Sequence, residues 1–190
     1  LISLEDLEYK LSRNEYSTLL INAHETSTGM IYDTKAIGEL TRKYGVFFVV
    51  DAISTICADI FMMDEWHVDV SVLSSQKALA LPPGLSFLAL NEKAKLRLET
   101  RTCKSYYFDI KAYLANQGRG QMPFTPVIGL FLMLHERLRE IRLQGIDFLV
   151  SHHSGLAEYF RKGLKDLPFS FVPDSPSNAL TAISCPENID

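Results

Sequence analysis

Five consecutive apolar residues, Val46-Phe47-Phe48-Val49-Val50, stop abruptly on Asp51. A run this short and this uniformly apolar keeps no polar face for water. It therefore specifies a strand covered on both sides, as in the parallel sheets of α/β proteins. Its flanks agree. Asp33 or Thr34 can cap a preceding helix whose Ile37 and Leu40 face inward, and Gly45 stands where a helix end favours positive φ. Earlier, Thr18-Leu19-Leu20-Ile21-Asn22 reads as another buried strand. Ser3-x-x-Asp6 reads as a capping pair ahead of the helically spaced Leu4, Leu7 and Leu11. Residues 68–73 and 85–90 are two further strand candidates. Strand and helix alternating over short connections predict an α/β fold with a mostly parallel sheet. Ligands of such sheets gather beyond the carboxyl ends of the strands.

After Glu92 the texture changes. Pro126 suits a helix start, and Leu130, Leu134, Leu138 and Ile141 share one face of a long helix running to Gly145. A second helix from Ile146 to about Leu164 carries Leu149, Leu156 and Phe160, and residues 169–172 and 180–184 read as strands. The expected division falls near residue 145: residues 1–145 belong to a large domain, and 146–190 form a linking helix and the start of a smaller one. There are no repeats. Leu1-Ile2 and Ile189-Asp190 read as cut ends, and no basic, apolar leader opens the chain.

Composition narrows the partners. With 19 Lys+Arg against 23 Asp+Glu and a formal net charge of -4, the chain offers no phosphate-neutralising surface, so nucleic acid is not expected. No apolar stretch approaches the roughly 20 residues that cross a bilayer, so no membrane span is expected either. Cys57, Cys103 and Cys185 are odd in number and widely spaced, which fits a reducing, cytoplasmic setting rather than a disulfide or zinc framework.

Three features could carry chemistry. Asp51 ends a buried strand at the edge where α/β sheets bind ligands, placed to pair with a buried cation; a strand-ending Asp also simply caps the next loop. Lys77, in Ser74-Ser75-Gln76-Lys77-Ala78-Leu79, follows another strand and precedes the turn Pro82-Pro83-Gly84. Among apolar neighbours its amine would be driven towards the neutral, nucleophilic form that condenses with aldehydes; a loop lysine is otherwise commonly solvated. The hydroxyl-rich run His24-Glu25-Thr26-Ser27-Thr28-Gly29 is the third, or else an exposed polar turn.

Other motifs fall away. Ser74-x-x-Lys77 fits the serine-nucleophile pattern of penicillin-binding enzymes, but the Ser-Asp-Asn and Lys-Thr-Gly elements of that class do not occur. His152 and His153 are helix neighbours pointing about 100° apart, a poor geometry for sharing a metal ion, and no metal site is expected. Gly118-Arg119-Gly120 is a flexible basic loop. There is no nucleophile elbow, P-loop or dinucleotide fingerprint.

Taken in order, residues 24–29, then Val50-Asp51-Ala52-Ile53-Ser54, then residues 74–79 with Pro82-Pro83-Gly84, resemble the class V aminotransferases. These are pyridoxal-phosphate enzymes of the aspartate-aminotransferase fold. The resemblance is closest to the alanine–glyoxylate, serine–pyruvate and 2-aminoethylphosphonate branch. It implies that Lys77 holds pyridoxal 5'-phosphate as an internal aldimine, and that Asp51 pairs with the pyridine nitrogen. It further implies that Ile53 packs on one ring face, Thr26 approaches the ring hydroxyl and Gln76 contacts the cofactor beside the lysine. Thr125, in Pro123-Phe124-Thr125-Pro126, matches the position that reaches the phosphate of the neighbouring subunit, so a homodimer with a shared active site is implied. The implied reaction moves an amino group from an amino acid or small amine to a 2-oxo acid.

The family's phosphate loop, ring-stacking residue and substrate-carboxylate arginine have no counterpart in these 190 residues, so the resemblance implies the middle half of an enzyme, inactive alone. Rivals on the same scaffold are cysteine desulfurase, lyase or epimerase chemistry. Desulfurases usually carry His where this chain has Gln76, and they need a mobile cysteine, for which Cys103 is the candidate, although a buried or inert thiol is the commoner reading of such a cysteine. A rival of another class is a non-catalytic interaction protein, either a degenerate paralogue or a subunit completed by a partner chain; retention of both Asp51 and Lys77 argues against degeneracy, and the partner-completed subunit stays open.

Overall fold

In the computed structural model, residues 3–186 are described, so the expected cuts at Leu1-Ile2 and Ile189-Asp190 lie outside the described residues. Helix α1 (Leu4–Ser12) starts where the Ser3 hydroxyl accepts the Asp6 N–H at 3.2 Å. Strand β1 (Thr18–Asn22) follows, then a small hairpin of β2 (His24–Glu25) and β3 (Met30–Ile31). Helix α2 (Thr34–Lys43) is capped by the Asp33 carboxylate, which accepts from Ala36 N at 2.9 Å. Gly45, at φ +66°, turns the chain into β4 (Phe47–Asp51), and β5 (Val70–Ser74) and β6 (Ser86–Leu90) complete the main sheet.

Its order is β1-β4-β5-β6. The first three strands are parallel, as the apolar runs predict; β6 returns antiparallel to β5. Parallel return needs a crossover of a dozen or more residues, usually a helix. Residues 75–85 instead fold into a turn that leaves β6 no option but to run back.

Phe48 and Val50, both wholly buried, pack with Ile21, Ile37 and Val68 beneath α2. Alternation along β4 then puts Val49 and Asp51 on the opposite face. Gly38 explains itself here. Glycine weakens a helix interior by roughly 0.5–1 kcal/mol relative to alanine, yet any Cβ at position 38 would overlap the Trp66 carbonyl oxygen. Close approach of α2 to that carbonyl requires it.

Helix α3 (Glu92–Glu99), capped by Asn91, leads to α4 (Ile110–Gln117) and then α5 (Ile128–Gln144). Helix α5 begins two residues beyond Pro126, and Gly145 at φ +84° separates it from α6 (Ile146–Gly163). A second apolar cluster joins Cys57, Leu79 and Leu149, with Ile141 and Phe87 packed against it. Not all the apolar positions along these two helices are covered: Leu138 is 49% exposed, and Leu156 and Phe160 are each 54% exposed. Helical spacing specifies a common face, but not what covers it.

Strands β7 (Ser170–Phe171) and β8 (Ile183–Ser184) form a short antiparallel pair, both shorter than their apolar runs. The loop between them returns to the connection after β4 and to the β2–β3 hairpin. Ser177, wholly buried, donates from its hydroxyl to the buried Asp59 carboxylate, and Asn178 N donates to the same group at 2.8 Å. No helix among the described residues is long and apolar enough to cross a membrane.

Candidate active site at the strand ends

The register brings three strand termini side by side. Asn22 is paired with Asp51, and Asp51 with Val72, two residues before β5 ends. Adjacent strands lie about 4.8 Å apart, so the loops leaving β1, β4 and β5 emerge at one edge. Those loops carry Thr26, Asp51, Ile53, Gln76 and Lys77. The sheet therefore gathers five of the six residues singled out from the sequence at its carboxyl edge. Thr125 stands apart, exposed on the loop before α5, with no side-chain hydrogen bond among the described residues.

Asp51 is half-buried and accepts the Ile53 N–H at 2.9 Å, which fixes its carboxylate and the backbone of the next turn together. It makes no ion pair among the described residues. Thr26 and Ser54 share a hydroxyl hydrogen bond at 3.2 Å, tying the hydroxyl-rich loop to the loop after Asp51. Gln76 accepts from the Ser74 hydroxyl through its amide oxygen. Lys77 differs from the expectation: its side chain is exposed rather than set among apolar neighbours, and it too makes no ion pair among the described residues. The turn buries Leu79 beneath it instead, with Ala78 partly buried, as a short turn cannot bury the lysine and its successors on the same side.

The hydroxyl-rich loop is organised by Glu25. Hydrogen bonds from the Ser27 hydroxyl, the Ser27 N–H and the Asn22 amide hold its carboxyl below the usual carboxylate range. Two residues went unassigned at the level of sequence. His24 is only 4% exposed and donates through Nδ1 to the Ser54 carbonyl at 3.2 Å, while its Nε2 has no partner among the described residues. Ser54 thus anchors two neighbours at once. Both lie inside the quoted motifs, but nothing in their spacing signals that the loops interlock. Cys57, on the same loop as Ser54, is buried; desolvation pushes its thiol pKa up, with the Arg137 guanidinium partly opposing.

No group of three or more metal-ligating side chains exists among the described residues. His152 and His153 lie on α6 with rings at 81° to each other, and His153 bonds the Leu149 carbonyl at 2.8 Å. Cys103 is exposed but engaged locally, with its sulfur 3.4 Å from the Ser105 carbonyl oxygen.

Comparison with known proteins adds an independent line. The family model described as "Aminotransferase class-V" matches residues 1–187. The chain is 35% identical to a serine–glyoxylate aminotransferase of Arabidopsis thaliana over 99% of its own length and 49% of that protein. It is 32% identical to a protein of Synechococcus named as the small subunit of a soluble hydrogenase, over 94% of the chain and 47% of that protein. A crystal structure of an alanine–glyoxylate aminotransferase from Nostoc superimposes with a TM-score of 0.93 at 28% identity, covering 100% of the chain and 52% of that structure. The chain thus spans about half the length of the curated relatives it matches.

Proposed function

Since this chain belongs to the class V aminotransferase family, we propose that it forms the cofactor-bearing part of an enzyme that moves an amino group from an amino acid or small amine to a 2-oxo acid of the pyruvate or glyoxylate type. The observation that carries the reading is the meeting of Asp51 and Lys77 at one sheet edge, with neither neutralised by an ion pair among the described residues.

The family's cofactor is pyridoxal 5'-phosphate, and the donor set fits it. A carboxylate fixed by one N–H retains capacity for a protonated pyridine nitrogen, an exposed primary amine suits an aldehyde, and a hydroxyl stands at Thr26. Bound there, the cofactor supplies an electron sink for a substrate that loses its Cα proton. Asp51, ionised, keeps the ring nitrogen protonated. Lys77 holds the cofactor and moves the Cα proton as base and then acid. Ile53 packs against a ring face, Thr26 donates towards the ring hydroxyl, and Gln76 steadies the cofactor beside the lysine. Thr125 reaches the phosphate held by the other subunit of a homodimer. In this reading residues 1–145 are part of the cofactor-binding domain and 146–190 open a smaller one. Free thiols at all three cysteines suit a cytoplasmic setting.

The test is borohydride reduction of the intact protein with pyridoxal phosphate, followed by peptide mapping. A phosphopyridoxyl adduct confined to Lys77, lost in Lys77→Ala, is expected. Absence of label at Lys77 overturns the reading. It would also favour the rival that the hydrogenase-subunit name of the Synechococcus relative brings forward, a non-catalytic subunit of a larger assembly.

A further inference from the structure

We propose that Arg137, on α5, is a positioning residue that sets the backbone of the turn carrying Lys77. The inference rests on the reading of Lys77 as the lysine that holds the cofactor. Lys77 sits on a four-carbon stem whose reach is decided by where its Cα is held, and its own side chain makes no hydrogen bond or ion pair among the described residues that would hold it. The turn must do so.

From inside, the turn is held by Ser75, which is wholly buried. Its hydroxyl donates to the Pro82 carbonyl at 2.7 Å and accepts the Leu85 N–H at 3.2 Å, while its carbonyl accepts Leu81 N at 3.1 Å. Ala80, in the left-handed region at φ +56°, lets its N–H reach back to the Lys77 carbonyl at 2.8 Å. A non-glycine residue persists at such a φ only when its surroundings hold it there.

That arrangement leaves the carbonyls of Ala78 and Leu79 without a backbone N–H among the described residues, although Leu79 is only 7% exposed. A buried carbonyl left unpaired is costly. Arg137 supplies both bonds, from Nε to Leu79 O at 3.2 Å and from Nη2, at a longer 3.5 Å, to Ala78 O. Its side chain is only 19% exposed, and Glu140 pairs with the remaining nitrogen at 3.2 Å, orienting the guanidinium plane. The planar fork matches two successive carbonyls in a way that an ammonium cannot. Leu130, two helical turns earlier on the same face, closes over Gly84 at the far side of the turn, where an added Cβ would lie 2.7 Å from its Cδ1. Helix α5 therefore grips the lysine turn at both ends.

Hydrogen–deuterium exchange on the cofactor-free intact protein, with Arg137→Gln and Arg137→Lys, tests this together with the rate of borohydride-trapped labelling at Lys77. For Arg137→Gln the expected result is about tenfold faster exchange at the Ala80 and Leu81 amides, unchanged protection over β1, and several-fold slower labelling. Arg137→Lys, keeping the charge but not the fork, is expected to fall between. Wild-type exchange across residues 78–82 together with wild-type labelling in Arg137→Gln overturns the proposal. If Arg137→Gln also loses protection over β1, Arg137→Lys decides alone: wild-type exchange over the turn overturns it, and faster exchange confined there supports it. A wild-type protein that takes no label at Lys77 defeats the cofactor reading instead, and the exchange data still judge the clamp.

Discussion

The sheet half of the molecule and its helical half use similar amounts of apolar sequence to different ends. In β4, Phe48 and Val50 are wholly buried, and α2 closes over them with Ile37. In α5, no residue is fully buried, and Ile128, Phe131, Leu132, Met133 and Leu138 lie open, as do Tyr106, Tyr107 and Phe108 elsewhere in this half. Those aromatics cluster among themselves, with Tyr107 stacked on Phe124 at 4.9 Å, one residue from Thr125. Exposed large apolar side chains in this number mark an interaction face more often than a free one. They support the proposed homodimer, in which Thr125 would cross to the other subunit. The centre of the sheet is closed within this chain, whereas its edge strands, at Leu20 and Leu88, and the α5 face are left open.

That contrast can be broken in three places. Phe48→Ala should cost about 3–5 kcal/mol, as removal of a wholly buried phenyl leaves a cavity in a core that has little room to collapse; denaturant unfolding measures it, and a loss under about 1 kcal/mol would mean the sheet core is not what holds this half. Asp59→Ala should cost about 1–3 kcal/mol, because the buried Ser177 hydroxyl and the Asn178 N–H lose their shared acceptor. Limited proteolysis should then open the β7–β8 loop before the sheet. Leu132→Ser, at a position 65% exposed, should change unfolding by under about 0.5 kcal/mol. Its effect belongs in sedimentation, where it should weaken self-association of the intact protein. If it lowers stability instead and leaves association alone, the α5 face is a core face of the single chain.

Much of the fold could be read locally. The uniform apolarity of Val46 to Val50 demanded a doubly covered strand, and Ser3, Asp33 and Asn91 sit at helix starts because their side chains satisfy N–H groups the helix leaves free. Asp51 and Lys77 could be picked out because each follows a strand at the edge where such sheets bind ligands. What could not be read is everything that depends on partners far along the chain: the antiparallel course of β6, the exposure of Lys77, the bond from His24 to Ser54, the hold of Ser177 on Asp59 across 118 residues, and the reach of Arg137 to Leu79 across 58. Periodicity and capping are properties of a few neighbouring residues, so the sequence by itself determined the main strands and helices, the family, and the two groups proposed to carry the chemistry. Hydrogen bonds between loops have no period. Only the packed tertiary structure, by deciding which buried polar atoms find each other, determined how those groups are held.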